Sequence, residues 1–130
     1  MSSSPARPLL IRVPNWLGDL VLALPVVRAA ADRSREQPVL FLGPAPFASL
    51  LKPRFPGVRY IPWSRSHRWA PLGELRRARP ETALLLTDSL SSAILAALVG
   101  IPRRIGYDTE GRGMLLTKRV ERAFGQRVPI

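Results

Sequence analysis

The chain of 130 residues has no cysteine and a single histidine. The first absence excludes a disulfide scaffold, thiolate metal sites and thiol redox chemistry. The second excludes a multi-histidine metal centre, and no residue is assigned as a metal ligand. Acidic residues are few: nine Asp and Glu stand against twenty Lys and Arg, a net charge of +11. Such an excess ordinarily points to nucleic acid or an anionic surface. Its make-up weakens that reading, because 18 of the 20 basic residues are Arg beside 14 prolines, a bias that GC-rich coding produces by itself. Nor is there a basic tail: residues 1–65 carry nine basic and three acidic side chains, residues 66–130 eleven and six. Long apolar runs are also missing. The Ser/Pro-rich lead gives way to Leu9-Leu10-Ile11-Arg12-Val13, which Arg12 interrupts too soon for a signal segment. The stretch from Ala83 to Ile101 is broken by Asp88 and three serines, short of the ~20 apolar residues a membrane span needs. A soluble, cytoplasmic protein is the expectation.

What is present suffices for one domain: 46% hydrophobic residues in a length typical of a single core. Short apolar runs alternate with helical patterns, the signature of β-α-β layering on a parallel sheet. Strands are expected at 9–13, 39–42, 58–61, 82–87 and 104–107. Residues 18–32 place Leu20, Leu24, Val27 and Ala31 at helical spacing, with a kink expected at Pro25. Shorter helices are expected at 46–51, 72–79 and 90–99, the last capped by Asp88-Ser89 and closed by Gly100 and Pro102. The aromatic and basic segment between Pro62 and Pro71 reads as a loop, its lone His67 exposed. Another short element is expected at 114–120.

In an open parallel sheet, ligands bind beyond the carboxyl ends of the strands, which directs attention to the turn after the first strand. It reads Arg-Val-Pro-Asn-Trp-Leu-Gly-Asp, with one glycine where a dinucleotide fingerprint needs three, so the Rossmann phosphate motif is absent. The turn puts Gly18 and Asp19 at the start of a helix. A carboxylate there faces the positive end of the helix dipole and is a proton acceptor. Two roles fit: a cap on its own helix, or a general base that takes a proton from a sugar hydroxyl.

The segment Arg12-Val13-Pro14-Asn15-Trp16-Leu17-Gly18-Asp19-Leu20-Val21-Leu22-Ala23-Leu24-Pro25 resembles the N-terminal signature of the lipopolysaccharide heptosyltransferases, members of glycosyltransferase family 9, especially the heptosyltransferase II type. A second match follows in the right order, from Ala97 to Tyr107 and then Glu110-Gly111-Arg112-Gly113-Met114-Leu115-Leu116-Thr117. The resemblance implies a Rossmann-like α/β fold, the N-terminal half of a two-domain GT-B enzyme. Residues 1–8 would be a flexible lead and 9–130 the acceptor-side domain, truncated, with the donor domain absent or separately encoded. It implies an inverting transfer of heptose from ADP-heptose to the lipopolysaccharide inner core, with the donor bound mainly by the missing domain and no further cofactor.

Asp19 occupies the position of the family's catalytic base. Asn15, Trp16, Gly18, Arg103, Arg104 and Arg112 are the candidate substrate-binding residues; an arginine fork suits phosphate or carboxylate on the acceptor. The Trp16 ring suits either stacking on a sugar or plugging the cleft floor. At Thr87-Asp88-Ser89-Leu90-Ser91-Ser92-Ala93 the chain departs from the family's Asn-Ser pair followed by an aromatic and a basic residue. The fragment alone is expected to be inactive. Peripheral contact with the cytoplasmic face of the inner membrane, through the Trp63 to Trp69 segment, is a further expectation. The alternative function is a non-catalytic basic α/β module that binds anionic glycolipid or nucleic acid; no nucleic-acid signature is present, and sequence-specific binding is not expected. A nucleotide-binding α/β protein of another class is disfavoured by the missing glycine-rich loop.

Overall fold

The structure, a computed structural model, describes residues 7–87, 90–107 and 116–120. Strands β1 (Leu9–Arg12), β2 (Val39–Pro44), β3 (Arg59–Trp63), β4 (Thr82–Leu85), β5 (Arg103–Tyr107) and β6 (Lys118–Val120) form one sheet in the order β3-β2-β1-β4-β5-β6. Every pairing is parallel. This is the doubly wound order, in which successive strands move outward in one direction from β1 and then in the other from β4. Helix α1 (Leu17–Ala31) follows β1, the four-residue α2 (Ala48–Leu51) follows β2, α3 (Leu72–Ala78) follows β3 and α4 (Leu90–Val99) follows β4.

The two-residue alternation of β1 divides the core. Leu9, Ile11 and Val13 turn toward α1, where they meet Leu20, Ala23, Val27 and Ala31 together with Phe41, Phe55 and Tyr60. Leu10 turns to the other face, packed with Leu40, Leu42 and Ile61, with Leu75 of α3 and with Ala93, Leu95 and Ala96 of α4. Burial on both faces explains why β2, and β1 as far as Arg12, read as continuous apolar runs. Phe41 is held edge-on by Phe55 at 5.5 Å and by Tyr60 at 6.4 Å between ring centroids.

Several expectations are refined by the sheet. Strand β3 runs on through Pro62 and Trp63, pairing them with Gly43 and Pro44, where a loop was expected. The reason is its place at the sheet edge, where a residue without an N–H is tolerated. Strand β4 stops at Leu85, level with the last residue of β1, rather than at Thr87. Helix α1 continues through Pro25, which is exposed, so the missing donor is accommodated on the solvent side. Gly100 closes α4 with a φ of 86°, its N–H bonded to Ala97 and that of Ile101 to Ala96, the two-bond closure that suits glycine. Of the expected flexible lead, Arg7 and Pro8 are tied down: Arg7 donates to the carbonyls of Arg79 and Pro80, and Pro8 accepts from the Glu81 N–H. Asp88 and Ser89, offered as the cap of α4, lie outside the described residues.

Candidate functional site

The strand order reverses between β1 and β4, so the crevice beyond their carboxyl ends is the position where this architecture receives ligands. The β1–α1 turn forms its edge. Val13 and Pro14 are buried, Asn15 is half-buried, and Trp16 opens the helix by accepting the Leu20 N–H at 2.9 Å. With 69% of its surface exposed, the Trp16 side chain does not plug the cleft floor, which removes one of its two expected roles. Asp19 follows in the first turn of α1, half-buried. Among the described residues it makes no hydrogen bond and no ion pair, and no side chain caps α1. The helix-capping role therefore has no bond to support it. Gly18 is exposed, and a methyl group added there would meet open space.

Beside this turn lies a cavity of about 300 Å³ lined by Asn15, Trp16, Pro44, Ala45, Pro46, Trp63, Ser64 and Arg65. It is built from the carboxyl ends of β1, β2 and β3. Two indoles, three small apolar walls and a few polar groups match what a sugar presents: apolar C–H faces and hydroxyls in one plane.

One wall of the cavity rests on a buried cation. Arg12 ends β1 on the same face as Leu10 and is only 1% exposed. Its Nη2 donates to Asn15 Oδ1 at 2.7 Å and its Nη1 donates to the Val13 carbonyl. Its guanidinium carbon sits 4.4 Å from the centroid of the Trp63 ring, in cation–π contact. Burial disfavours the charged form and lowers its pKa to about 10, against the raising effect of Tyr60, so at neutral pH the group stays protonated. On the other side of the sheet Tyr60 donates to the Pro44 carbonyl at 2.7 Å, and burial pushes its phenol up to about 12. The residue that makes room there is Gly43: a Cβ would collide with the Val13 side chain and come within 2.9 Å of the Tyr60 hydroxyl.

The structure thus brings Asn15, Trp16, Gly18 and Asp19 to one turn, but it does not bring Arg103 and Arg104 to them. Both arginines begin β5, paired with Thr82 and Ala83 at the amino end of β4, a strand length from the crevice. Arg103 instead lines a groove of about 630 Å³ between α1 and the starts of β1 and β4. Arg104 donates to the Ile101 carbonyl at 2.7 Å. Arg112 lies outside the described residues. His67 is exposed, as expected. Arg12, Trp63 and Arg65 were not among the candidates; the available signal was a charged residue inside a run otherwise buried on both faces. Among the described residues no cluster of potential metal ligands occurs, and no helix is long and apolar enough to cross a membrane.

A doubly wound sheet with its crevice at this switch point defines a Rossmann-like unit of the kind found in GT-B glycosyltransferases. No protein-family model matches the chain. The lipopolysaccharide heptosyltransferase 2 of Escherichia coli strain K12 is 31% identical over 121 residues, taking in 86% of this chain and 34% of that protein. The solved structure of E. coli ADP-heptose lipopolysaccharide heptosyltransferase II superposes with a TM-score of 0.70 at 31% identity, over 84% of this chain and 33% of the other. E. coli heptosyltransferase WaaC, solved with ADP-2-deoxy-2-fluoro heptose, shares the fold at 18% identity and a TM-score of 0.63, over 92% of this chain and 44% of WaaC. In sequence and fold the chain resembles the heptosyltransferases, which are glycosyltransferases, and it spans about a third of the length of the curated relatives it matches.

Proposed function

We propose that the chain is the N-terminal, acceptor-side part of an inverting heptosyltransferase that moves heptose from ADP-heptose to an inner-core lipopolysaccharide acceptor. The observation that carries this reading is Asp19: a half-buried carboxylate with no hydrogen bond or ion pair among the described residues, at the first helical turn beside the switch point. A carboxylate left unpaired in that place is available to a ligand. In the reaction, Asp19 takes the proton from the acceptor hydroxyl as its oxygen attacks the anomeric carbon. The bond to ADP breaks on the opposite face, which inverts the centre. General-base assistance of this kind contributes roughly 10²–10⁴-fold.

The acceptor sugar would lie against Trp16 and Trp63, with Asn15 and Arg65 as hydrogen-bond donors and Gly18 letting it approach the helix backbone. Arg112 remains a candidate for acceptor phosphate or carboxylate. Arg103 and Arg104, at the other end of the sheet, are not assigned to this crevice. Donor binding falls to a second domain, and without its leaving-group stabilisation and positioning the chain alone is inactive. The working place is the cytoplasmic face of the inner membrane, where the acceptor glycolipid is held.

The test is heptose transfer from ADP-heptose to inner-core acceptor, assayed with the chain alone and with a chimera in which the chain replaces the matched third of E. coli heptosyltransferase 2. Transfer by the chimera only is the expected result. Transfer by the chain alone contradicts the division of labour, and a well-folded but inactive chimera contradicts the assignment itself.

A further inference from the structure

We propose that Arg12 is a positioning residue that fixes the polarity of Asn15, holding the amide oxygen inward so that its two N–H donors face the cavity and select a ligand oxygen. The inference rests on the sugar-binding reading of the cavity for its ligand, though not for the lock itself. A guanidinium has five donors and no acceptor, so the atom of Asn15 that lies 2.7 Å from Nη2 must be the oxygen. That resolves the ambiguity between the two ends of an amide, which density or geometry alone leaves open. With one lone pair of Oδ1 taken by Nη2 and the oxygen turned toward Arg12, Nδ2 is the end of the amide offered to a ligand. Asn15 is then a donor, and an incoming group must bring a lone pair.

The lock is rigid for three reasons. Arg12 is buried in the sheet, a second bond pins it to the Val13 carbonyl, and Trp63 covers the guanidinium. Two of the residues it touches through these contacts, Asn15 and Trp63, are themselves cavity walls, one from the end of β1 and one from the end of β3. Among the described residues no carboxylate pairs with Arg12. A buried, unpaired cation is costly to keep, and a methionine of similar length would avoid that cost. A role in packing alone therefore does not account for arginine here. Arg65, on the cavity rim and also without an anionic partner among the described residues, adds a second donor of the same sense.

The experiment uses the full chain, labelled with ¹⁵N, and two sugars as probes, D-glucuronate and neutral D-glucose. The indole N–H of Trp63 is followed by NMR in the wild type, in Asn15→Asp and in Arg12→Met, and the side-chain NH₂ of Asn15 in the wild type and in Arg12→Met. Asn15→Asp gives Arg12 a charged partner, so melting temperature should hold or rise while the donor is lost. Glucuronate affinity should then fall at least five-fold. Arg12→Met should shift the Asn15 NH₂ and Trp63 signals before any sugar is added and weaken glucuronate binding by a similar factor.

Each failure has its own meaning. Unchanged Asn15 and Trp63 signals in Arg12→Met overturn the lock, whatever the sugars do. Glucuronate binding to Asn15→Asp at wild-type affinity overturns the donor role. A wild-type chain that binds neither sugar, with the Asn15 signal still responding to Arg12→Met, overturns the sugar-binding reading and with it the ligand assigned to the donor.

Discussion

The Cα of Gly43 lies so close to Val13 that a single added methyl group would occupy the same space as the Val13 side chain. The contact joins the residue that leads out of β1 to the end of β2, directly behind the β1–α1 turn. A Cβ added at Gly18, five residues further along, would meet open space. The two glycines therefore answer differently to the same substitution. Gly43→Ala should cost about 1–3 kcal/mol, the range for overpacking a close-packed site. Gly18→Ala should be neutral or stabilise by about 0.5–1 kcal/mol, since alanine is the better helix former. Chemical denaturation of the two variants measures both. If Gly18→Ala keeps its stability and loses sugar affinity, the open space beside Gly18 is ligand space.

Trp16 makes a second separation of stability from binding. Two-thirds exposed, it contributes little to the core, and Trp16→Ala should change stability by no more than about 0.5 kcal/mol. If the ring stacks on a sugar, the same change should weaken binding by about 0.5–1.5 kcal/mol, a factor of roughly 2–10. Isothermal titration of glucuronate into both proteins reads the difference.

Alkaline titration should show Tyr60 apart from an ordinary phenol. Its folded pKa of about 12 stands above the reference value of 10.0 because burial penalises the phenolate. Between these values the unfolded chain releases the proton and the folded chain keeps it. Tyr60 thus contributes stability that is fully present below pH 10 and is lost as the pH rises through about 12. Arg12 acts with the opposite sign. Its folded pKa is lowered, so its burial penalty is present at neutral pH and eases once the pH exceeds about 10. Tyr60→Phe should remove the late phase from the ultraviolet phenolate titration. It should also make stability rise, relative to wild type, between pH 10 and 12.

The ion pair between Arg59 of β3 and Glu74 of α3 joins two elements on the sheet edge, yet both side chains are partly open to solvent. Arg59→Ala should therefore cost less than about 1 kcal/mol, and less still in high salt. A larger loss in thermal melts would show that the edge strand depends on this pair.

The middle of the sheet was legible because β1 and β2 are buried on both faces, so runs such as Val39-Leu40-Phe41-Leu42 carry no competing pattern. Helix ends marked by Gly100 and Pro102 were legible for the same local reason. The end of β3 was not: Pro62 reads as a breaker until the strand is known to lie at an edge, and edge position is a property of the whole sheet. The site divides in the same way. Asn15, Trp16, Gly18 and Asp19 are neighbours in sequence, so one turn reveals them together. Arg12 looked like an interruption of an apolar run because its partner ring, Trp63, is 51 positions away and arrives only through the pairing of β1, β2 and β3. Arg103 and Arg104, candidates because they lie in the second matching segment, begin β5 at the other end of the sheet, a placement that only the strand pairing reveals.

The most direct test is the rate of heptose transfer by the chimera carrying Asp19 against the same chimera with Asp19→Asn, at matched folding and acceptor affinity. Asparagine at position 19 should lower kcat by roughly 10²–10⁴-fold and leave KM for the acceptor little changed. A chimera that transfers heptose equally well with asparagine at position 19 would contradict the role of Asp19 as general base.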